Sequence, residues 1–288
     1  MPTVKLSDRA ILRATGPDAE ALLQNVITID LATLGEREAR PGALLTPQGK
    51  ILFDFLISRA GPDSFRLDCR RDIAPDLLKR MMLYRLRAKA ELSLDNESLI
   101  STSWESDSSV SQTDSTSVFD RRFPETLQVI RNYGTSPAES GDASAWDLLR
   151  IEHGVPESGQ DYQLGDAFPH EILFDQNGGV GLKKGCYVGQ EVVSRMHHRG
   201  TARRRLVIVH GESTLPPPSA EVTADGRVIG ALGTVAGSEG LAILRIDRAA
   251  EAAQSGLPIL AGGVPLTLRV PNYAKFNIST GPGEAETA

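Results

Sequence analysis

Residues 183–191 of this 288-residue chain read KKGCYVGQE and place one of its two cysteines, Cys186, among glycines and lysines. Gly185 and Gly189 can take backbone angles closed to other residues, and they let a ligand approach the main chain closely. The two lysine ammonium groups would stabilise a thiolate, which is a nucleophile and a metal ligand. A free cysteine more often packs as a small buried hydrophobe. The flanking residues favour a functional thiol at Cys186.

The composition indicates a globular protein with a substantial core. The chain is 40% hydrophobic, and its length suggests about two domains. Cys69 and Cys186 form neither a disulfide framework nor a CxxC pair, and residues 1–12 show neither a signal-peptide core nor an Arg/Ser-rich transit pattern. We therefore expect a reducing, cytoplasmic location. Without a run of about eighteen apolar residues, we expect no contact with a membrane.

The charged residues are unevenly distributed along the chain. The net charge is -6, with 31 basic and 37 acidic residues, which argues against general nucleic-acid coating. Residues 183–205 are instead rich in lysine and arginine, with Glu191 as their only acid. This segment predicts a site for an anion, such as the carboxylate tail of a small molecule, a phosphate or an RNA backbone, although such a run is also typical of a solvated face. Nothing resembles an RNA-binding motif, so direct nucleic-acid binding is not expected.

The first two thirds of the chain combine strand and helix patterns. Helices are predicted to begin at residues 16–18 and at Pro75, and strands are predicted over residues 51–58, 65–68 and 89–94. Residues 101–117 are dominated by Ser and Thr and predict a flexible surface loop. This order of elements favours an α+β arrangement, in which helices pack on antiparallel sheets.

Short strand patterns follow residue 205. They are predicted over residues 206–210, 221–223, 227–232, 241–246 and 264–270. Asp225-Gly226 lies between two of them and indicates a tight hairpin. We therefore expect a small antiparallel β-barrel over residues 206–288, after an α+β domain of two subdomains over residues 1–205.

A helix predicted from Ser144 to Gly154 carries a candidate binding residue. One of its faces presents, at helical spacing, Ala145, Leu148, Leu149 and Glu152. A carboxylate in an apolar stripe is costly to bury unless it is paired, so Glu152 is predicted to bind a ligand. Its structural alternative is a carboxylate that snorkels at the helix end or pairs with an arginine. A flat heterocycle with an amide and amino edge would suit Glu152, with Trp146 stacking on the ring.

These segments resemble the YgfZ-type folate-binding proteins, which are relatives of the glycine-cleavage T-protein. The most specific match is KGCYVGQE followed by Arg195 and the Arg199-Gly200 pair. Weaker matches, such as ALLTPQGKILFDF, WDLLRIEHGVP and DGRVIGALGT, extend the resemblance over nearly the whole chain. The motif residues are Lys184, Gly185, Cys186, Tyr187, Gly189, Gln190 and Glu191. The resemblance implies a GcvT-like folate-binding fold with a C-terminal β-barrel.

The resemblance also implies a function, namely assistance in the assembly or repair of iron–sulfur clusters. Tetrahydrofolate or a one-carbon derivative would be the cofactor, and iron–sulfur carrier or client proteins would be partners, with indirect support of tRNA-modifying enzymes. The folate contacts would include Trp146 and Glu152, with Glu171, Asp30 and Arg195 as further candidates, although Asp30 could serve only to fix a turn. Cys186 would act as a reactive thiol or as a transient cluster ligand. Because such clusters normally need four protein ligands, the others would come from a partner, a second copy or a small thiol.

The main alternative is a folate-dependent aminomethyl or one-carbon transferase, and a binding module without chemistry is a third possibility. The glycine-cleavage enzymes have a catalytic aspartate after an Asn-Ala segment, where this chain has LDCRR at residues 67–71. That departure argues against aminomethyl transfer and leaves open whether the protein is an enzyme. A stable zinc site is not expected, because the cysteines and histidines lack tight paired spacings. A catalytic Cys–His pair is disfavoured because no oxyanion element is visible.

Overall fold

A computed structural model describes residues 2–95, 98–104, 116–134, 140–200 and 202–278. The chain divides into two compact units. The first comprises Met1–Pro47, Ile51–Ala143 and Gly178–Gln190, and the second comprises Gln48–Lys50, Ser144–Asn177 and Glu191–Ala288. Residues 144–177 and 191–205, which the sequence analysis assigned to the first domain, group with the β-barrel in this division.

The first unit is built on a nine-stranded sheet. Its strands are β1 (Thr3–Lys5), β2 (Arg9–Thr15), β3 (Glu38–Leu45), β4 (Ile51–Gly61), β5 (Ser64–Arg70), β6 (Glu91–Asp95), β7 (Leu99–Ser103), β8 (Ser117–Asp120) and β9 (Ile130–Gly134). They are ordered β1-β7-β9-β8-β3-β4-β5-β2-β6. Neighbouring strands are antiparallel except β3 and β8, which pair in parallel.

Two helices, α1 (Ala19–Val26) and α2 (Ala74–Arg85), cover part of this sheet. The helix predicted to begin at residues 16–18 is confirmed as α1, and its buried residues are Ala19, Leu22, Leu23 and Val26. They join a core that contains Phe65 and Leu67 of β5 and Leu77 of α2. Helix α2 begins at Ala74, next to the start predicted at Pro75, and it buries Leu77 and Met81 while Met82 is exposed.

The Ser/Thr-rich loop was predicted over residues 101–117, and both ends of that range form strands instead. Its ends belong to β7 and β8, because residues 101–103 and 117 take part in strand pairing. Residues 105–115, where the loop was expected, lie outside the described residues. Ser101, Thr102 and Ser103 are buried within β7, so their Ser and Thr content does not prevent strand formation.

The second unit contains a closed six-stranded barrel, as expected. Its strands are β10 (Arg204–Gly211), β11 (Glu221–Ala224), β12 (Arg227–Ala236), β13 (Glu239–Arg245), β14 (Ile259–Ala261) and β15 (Val264–Arg269), in the order β10-β13-β12-β11-β14-β15. Asp225 and Gly226 both have positive φ, which is the geometry of the predicted hairpin turn. The short strand β14 and the helix α5 (Ile246–Gln254) are not among the elements predicted from the sequence.

Two further helices carry sequence-predicted site residues. Helix α3 spans Ala143–His153, and Gly154 follows it with φ +66°. A side chain at Gly154 would collide with Pro271, since a Cβ there would lie 2.4 Å from the proline Cγ. Helix α4 spans Gln190–Arg199 and begins directly after the cysteine motif. None of the helices described is long and apolar enough to cross a membrane.

Candidate functional site

The loop that carries Cys186 is anchored within the first unit by Lys184. The Lys184 side chain is buried, and its Nζ donates hydrogen bonds to the backbone oxygens of Ile27 (2.8 Å) and Ile29 (2.7 Å). Its Nζ also lies 5.2 Å from the centroid of the buried Tyr187 ring. Burial lowers the pKa of Lys184 to about 8 and raises that of Tyr187 to about 12. Lys184 therefore fastens the loop to the segment that follows α1.

This finding corrects the role expected for the two lysines. Both ammonium groups are expected from the sequence to stabilise a Cys186 thiolate, but the Lys184 ammonium group donates to two backbone carbonyls instead. Lys183 is exposed. The glycines also differ from expectation. Gly189 has the left-handed φ of +79°, whereas Gly185 does not have a positive φ. A Cβ at Gly185 would meet no atom within 4 Å.

Thr28 and Gly181 form a second attachment of the same loop. The Gly181 amide donates to the Thr28 carbonyl at 2.8 Å, and the Thr28 hydroxyl donates to the Gly179 carbonyl at 2.6 Å. The approach is close, because a Cβ at Gly181 would lie 2.9 Å from both Asp30 Cβ and Lys184 Cδ. A side chain at this position would therefore displace the loop.

Asp30, a candidate folate contact, has a local structural role. Its Oδ1 accepts hydrogen bonds from Gln24 Nε2 (2.8 Å) and from the Ala32 amide (3.2 Å), which caps the short 3₁₀ helix Leu31–Thr33. The Gln24 side chain also accepts from the Leu31 amide at 2.9 Å. Asp30 thus fixes the turn against which Lys184 is anchored.

The two cysteines occupy opposite environments. Cys69 lies on β5 and is fully buried, and burial raises the pKa of its thiol to about 12. Cys186 is exposed. Since it is the thiolate that reacts and binds metal, Cys186 is the cysteine available for such chemistry in the folded protein.

The motif continues into α4, whose first turn is Gln190 and Glu191. The Gln190 amide donates to the Tyr187 carbonyl at 3.2 Å, so the motif turns directly into the helix. Arg195, a candidate folate contact, forms an exposed ion pair with Glu191 at 2.6 Å, one helical turn away. Exposed pairs of this kind contribute little to stability.

Helix α3 does not present the face that the sequence analysis expected. Its buried residues are Trp146, Leu149, Arg150 and Ile151, whereas Leu148 and Glu152 are exposed. The prediction of a dehydrated Glu152 is therefore wrong. Trp146 is 4% exposed and lies on a different face from Glu152, since six residues correspond to about 600° of helical rotation. The structure does not bring the two candidate folate residues together.

The buried charge of α3 is Arg150, which the sequence analysis missed. Burial by itself would lower the pKa of Arg150, but Glu157, Asp161 and Asp147 outweigh it and raise the pKa. The guanidinium donates to Asp147 (2.8 Å), Asp161 (3.0 Å) and Thr234 (2.9 Å). Arg150 therefore links α3 to the following loop and to β12 within the second unit. In the sequence, the nearby Asp147 and Asp161 were the signal that Arg150 could be buried with acidic partners.

A pocket of about 630 Å³ in the second unit includes Glu152. It is lined by Leu148, Ile151, Glu152, Ile208, His210, Glu239, Thr267 and Arg269. The lining combines three aliphatic side chains with charged groups of both signs. Arg269 donates to the backbone oxygen of Glu152 at 3.0 Å, and His210 Nδ1 lies 2.6 Å from Glu239 Oε1. Its volume falls in the range of about 300–1,000 Å³ that is typical of small-molecule sites.

Glu171, the remaining candidate, is buried in the loop that precedes the cysteine motif. Its Oε2 accepts a hydrogen bond from the Phe168 amide at 3.0 Å, and its Oε1 lies 3.6 Å from Arg204 Nε. Burial raises the pKa of the carboxyl. These contacts give Glu171 a role in holding the turn around Phe168.

Comparisons with known proteins first define the fold. Residues 203–276 match the family described as CAF17, C-terminal beta-barrel domain. The chain is also similar to the glycine cleavage system aminomethyltransferase T from Bartonella henselae, with a TM-score of 0.70 over 93% of this chain and 84% of that chain. At 13% sequence identity this likeness concerns the fold alone. It confirms the predicted GcvT-like architecture with a C-terminal barrel.

Sequence comparison then places the chain in a family. It is 31% identical over 279 residues to the iron-sulfur cluster assembly factor IBA57, mitochondrial, of Mus musculus, covering 84% of this chain and 77% of that protein. The Homo sapiens protein of the same name is 30% identical over 300 residues, covering 91% and 83%. The chain belongs to the IBA57 family of iron–sulfur cluster assembly factors. The finer assignment to the YgfZ type stays a prediction.

The same relatives correct the expected location. The mouse and human proteins, and the Neurospora crassa homologue that is 31% identical over 249 residues, are all named as mitochondrial. The prediction of a cytoplasmic location is therefore wrong. It rested on cysteine content and on the pattern of residues 1–12, and a low cysteine content does not distinguish between compartments that keep thiols reduced.

Proposed function

We propose that this protein acts in iron–sulfur cluster assembly and that Cys186 is the residue through which it contacts the cluster. The observation that most supports this proposal is the exposed thiol of Cys186, in a loop that Lys184 fixes to the backbone of Ile27 and Ile29. Membership of the IBA57 family supports the cluster as the cargo. The anchoring holds the sulfur in one place, which reduces the entropy lost when a partner and a cluster bind.

The cluster would be shared with a partner. Iron–sulfur clusters are normally held by four cysteine thiolates, and Cys69 is buried and carries a raised pKa. This chain therefore offers Cys186 as one ligand, and an iron–sulfur carrier or client protein would supply the others. Cys186 loses its thiol proton when it binds iron. Thiol chemistry that restores a damaged cluster would use the same exposed sulfur.

A cellular experiment tests this proposal. Cells that carry only Cys186→Ala should lose the activity of an aconitase-type cluster enzyme under oxidative stress, at normal abundance of the variant. Cys69→Ala is the matched control, because it removes the buried thiol and should leave the activity near that of the unmodified protein. Full activity with Cys186→Ala would remove this thiol from the mechanism.

Folate binding is the second candidate function, and the Glu152 pocket supports it. The pocket has the volume of a small-molecule site, three aliphatic side chains for a flat ring, and the carboxylate of Glu152 for an amide and amino edge. Arg269 supplies a positive charge in the same pocket for a glutamate tail. Trp146 is nearly fully buried, so the proposal rests on Glu152 and Arg269 instead.

Calorimetric titration with tetrahydrofolate tests the pocket. Glu152→Gln should weaken binding by about 1.5 kcal/mol, roughly tenfold, because it replaces a charge-assisted hydrogen bond with a neutral one at an exposed site. Glu239→Gln is the control, since this second pocket carboxylate is already paired with His210. If both variants bind as the unmodified protein does, the pterin does not contact Glu152.

Transferase chemistry finds less support. Asp68, in the segment that replaces the Asn-Ala-containing segment of the transferases, is fully buried and forms an ion pair with Arg9 at 2.7 Å. Arg9 also donates to the Asp68 backbone oxygen at 2.7 Å. A carboxylate held in this way supports strand pairing between β2 and β5.

A further inference from the structure

Two histidines and an aspartate converge in the second unit, and none of the three is among the residues discussed above as cluster or folate contacts. The potential donor atoms of His170, Asp175 and His197 all lie within 4.8 Å of one another. His170 and Asp175 come from the loop after α3, and His197 comes from the last turn of α4. The two imidazole ring centroids are 6.3 Å apart.

The burial of His170 is a second observation that points to a ligand at this cluster. His170 is 1% exposed, and neither of its ring nitrogens has a hydrogen-bond partner among the described residues. Buried polar atoms are nearly always hydrogen-bonded, and an unmatched one points to a water, an ion or a function. A ring nitrogen of this imidazole lies within 4.8 Å of a carboxylate oxygen of Asp175 and of a ring nitrogen of His197.

We propose that His170, Asp175 and His197 bind one divalent first-row transition-metal ion. Two imidazoles and a carboxylate are ligands suited to Zn²⁺ or Fe²⁺, whereas Mg²⁺ and Ca²⁺ prefer oxygen. Three protein ligands leave coordination positions for water or for a group of a bound partner. Sequence spacing does not reveal this set, because its histidines are far apart in the chain.

Arg205 orients two of the ligands. Its Nη1 donates to Asp175 Oδ1 (2.9 Å) and Oδ2 (3.0 Å) and to the backbone oxygen of His170 (2.8 Å). Metal-binding carboxylates are commonly held by such outer hydrogen bonds. The guanidinium charge opposes a second cation, but it is offset by the Asp175 carboxylate to which it donates. Ligand atoms that each lie about 2.1 Å from a Zn²⁺ ion are closer to one another than 4.8 Å. Binding of the ion would therefore require the exposed His197 side chain to rotate towards His170 and Asp175.

Calorimetric titration with Zn²⁺, and anaerobically with Fe²⁺, tests the site in a Cys186→Ser background that lacks the exposed thiol. We expect one equivalent to bind, and His197→Ala should weaken binding by at least about tenfold, since even loss of an outer hydrogen bond costs about 10- to 100-fold. The metal that binds more tightly identifies the preferred occupant.

His198→Ala is the matched control, because His198 is adjacent and exposed on the same helix but does not belong to the cluster. It should bind like the parent. Equal binding by His197→Ala and the parent, or equal weakening by both alanine variants, would overturn the site. His170→Asn, checked for folding by circular dichroism, should weaken binding as His197→Ala does. Failure of this test would leave the proposed role of Cys186 untouched.

Discussion

Lys184 shows how one residue can differ in role from what its sequence neighbourhood indicates. Two positive charges beside a cysteine are typical of an activated thiol. In the fold, however, the Lys184 side chain turns inward to the carbonyl oxygens of Ile27 and Ile29. Its contribution to Cys186 is therefore positional. The sequence could identify the motif, but it could not say which of the two lysines faces the solvent.

The first prediction compares the two thiols. Iodoacetamide at neutral pH should modify Cys186 much faster than Cys69 in the folded protein, because Cys69 is buried and its pKa is raised to about 12. Mass spectrometry of the digested protein measures both sites. Similar rates would contradict the exposure difference, and equal rates in denaturant serve as the control.

The second prediction concerns the pH dependence of stability. Burial lowers the pKa of Lys184 to about 8, below the roughly 10.4 of an unfolded lysine. Between these two pH values the unfolded chain binds more protons than the folded protein, so the unfolding free energy rises with pH, by up to about 1.4 kcal/mol per pH unit. The same gain in unfolding free energy is lost as the pH falls from about 10.4 towards 8.

Urea unfolding of the metal-free protein at pH 7.5, 8.5 and 9.5 measures this slope. Lys184→Met should lose the contribution, while Lys183→Met, which changes the exposed neighbour, should keep it. The same slope in all three proteins would show that Lys184 is not buried as described.

At the level of elements, α3 shows where periodicity misleads. A stripe of Ala145, Leu148, Leu149 and Glu152 satisfied the helical spacing, yet the buried face is displaced around the helix to include Trp146 and Arg150. A helix can bury an arginine when carboxylates from a later loop satisfy it. These partners, Glu157 and Asp161, follow the helix in sequence, and periodicity alone cannot show that they fold back on it.

The third prediction tests this network. Arg150→Met should lower the unfolding free energy by about 3–5 kcal/mol, because it leaves buried carboxylates without their partner. Arg248→Met is the control, since Arg248 forms an exposed pair with Glu251 on α5, and it should change stability by about 0.5 kcal/mol or less. Urea titration compares the two, and equal effects would contradict a structural role for Arg150.

At the scale of the whole molecule, local patterns were sufficient for much of the fold. Hairpin and helix signals predicted α1 and most of the barrel strands, because turns and apolar spacing are local properties. The order of the sheet was not accessible, since the parallel pairing of β3 with β8 joins segments that are distant in sequence. For the same reason, the His170, Asp175 and His197 cluster could not be found by spacing.

The same limit applies to the candidate site. The cysteine motif was found because its residues are consecutive, and the structure gives its cysteine an exposed position. The contacts of Lys184 with Ile27 and Ile29, and of Gly181 with Thr28, depend on tertiary packing. These contacts give the loop that carries Cys186 a defined position in the first unit.

The most direct test of the central claim is cluster ligation in vitro. The protein is mixed anaerobically with a cluster-loaded iron–sulfur carrier, and visible circular dichroism of the complex isolated by gel filtration reports the cluster. We expect a cluster-containing complex with the unmodified protein and with Cys69→Ala, and loss of the cluster from the complex with Cys186→Ala. A complex of Cys186→Ala that retains the cluster and its spectrum unchanged would contradict ligation by this thiol.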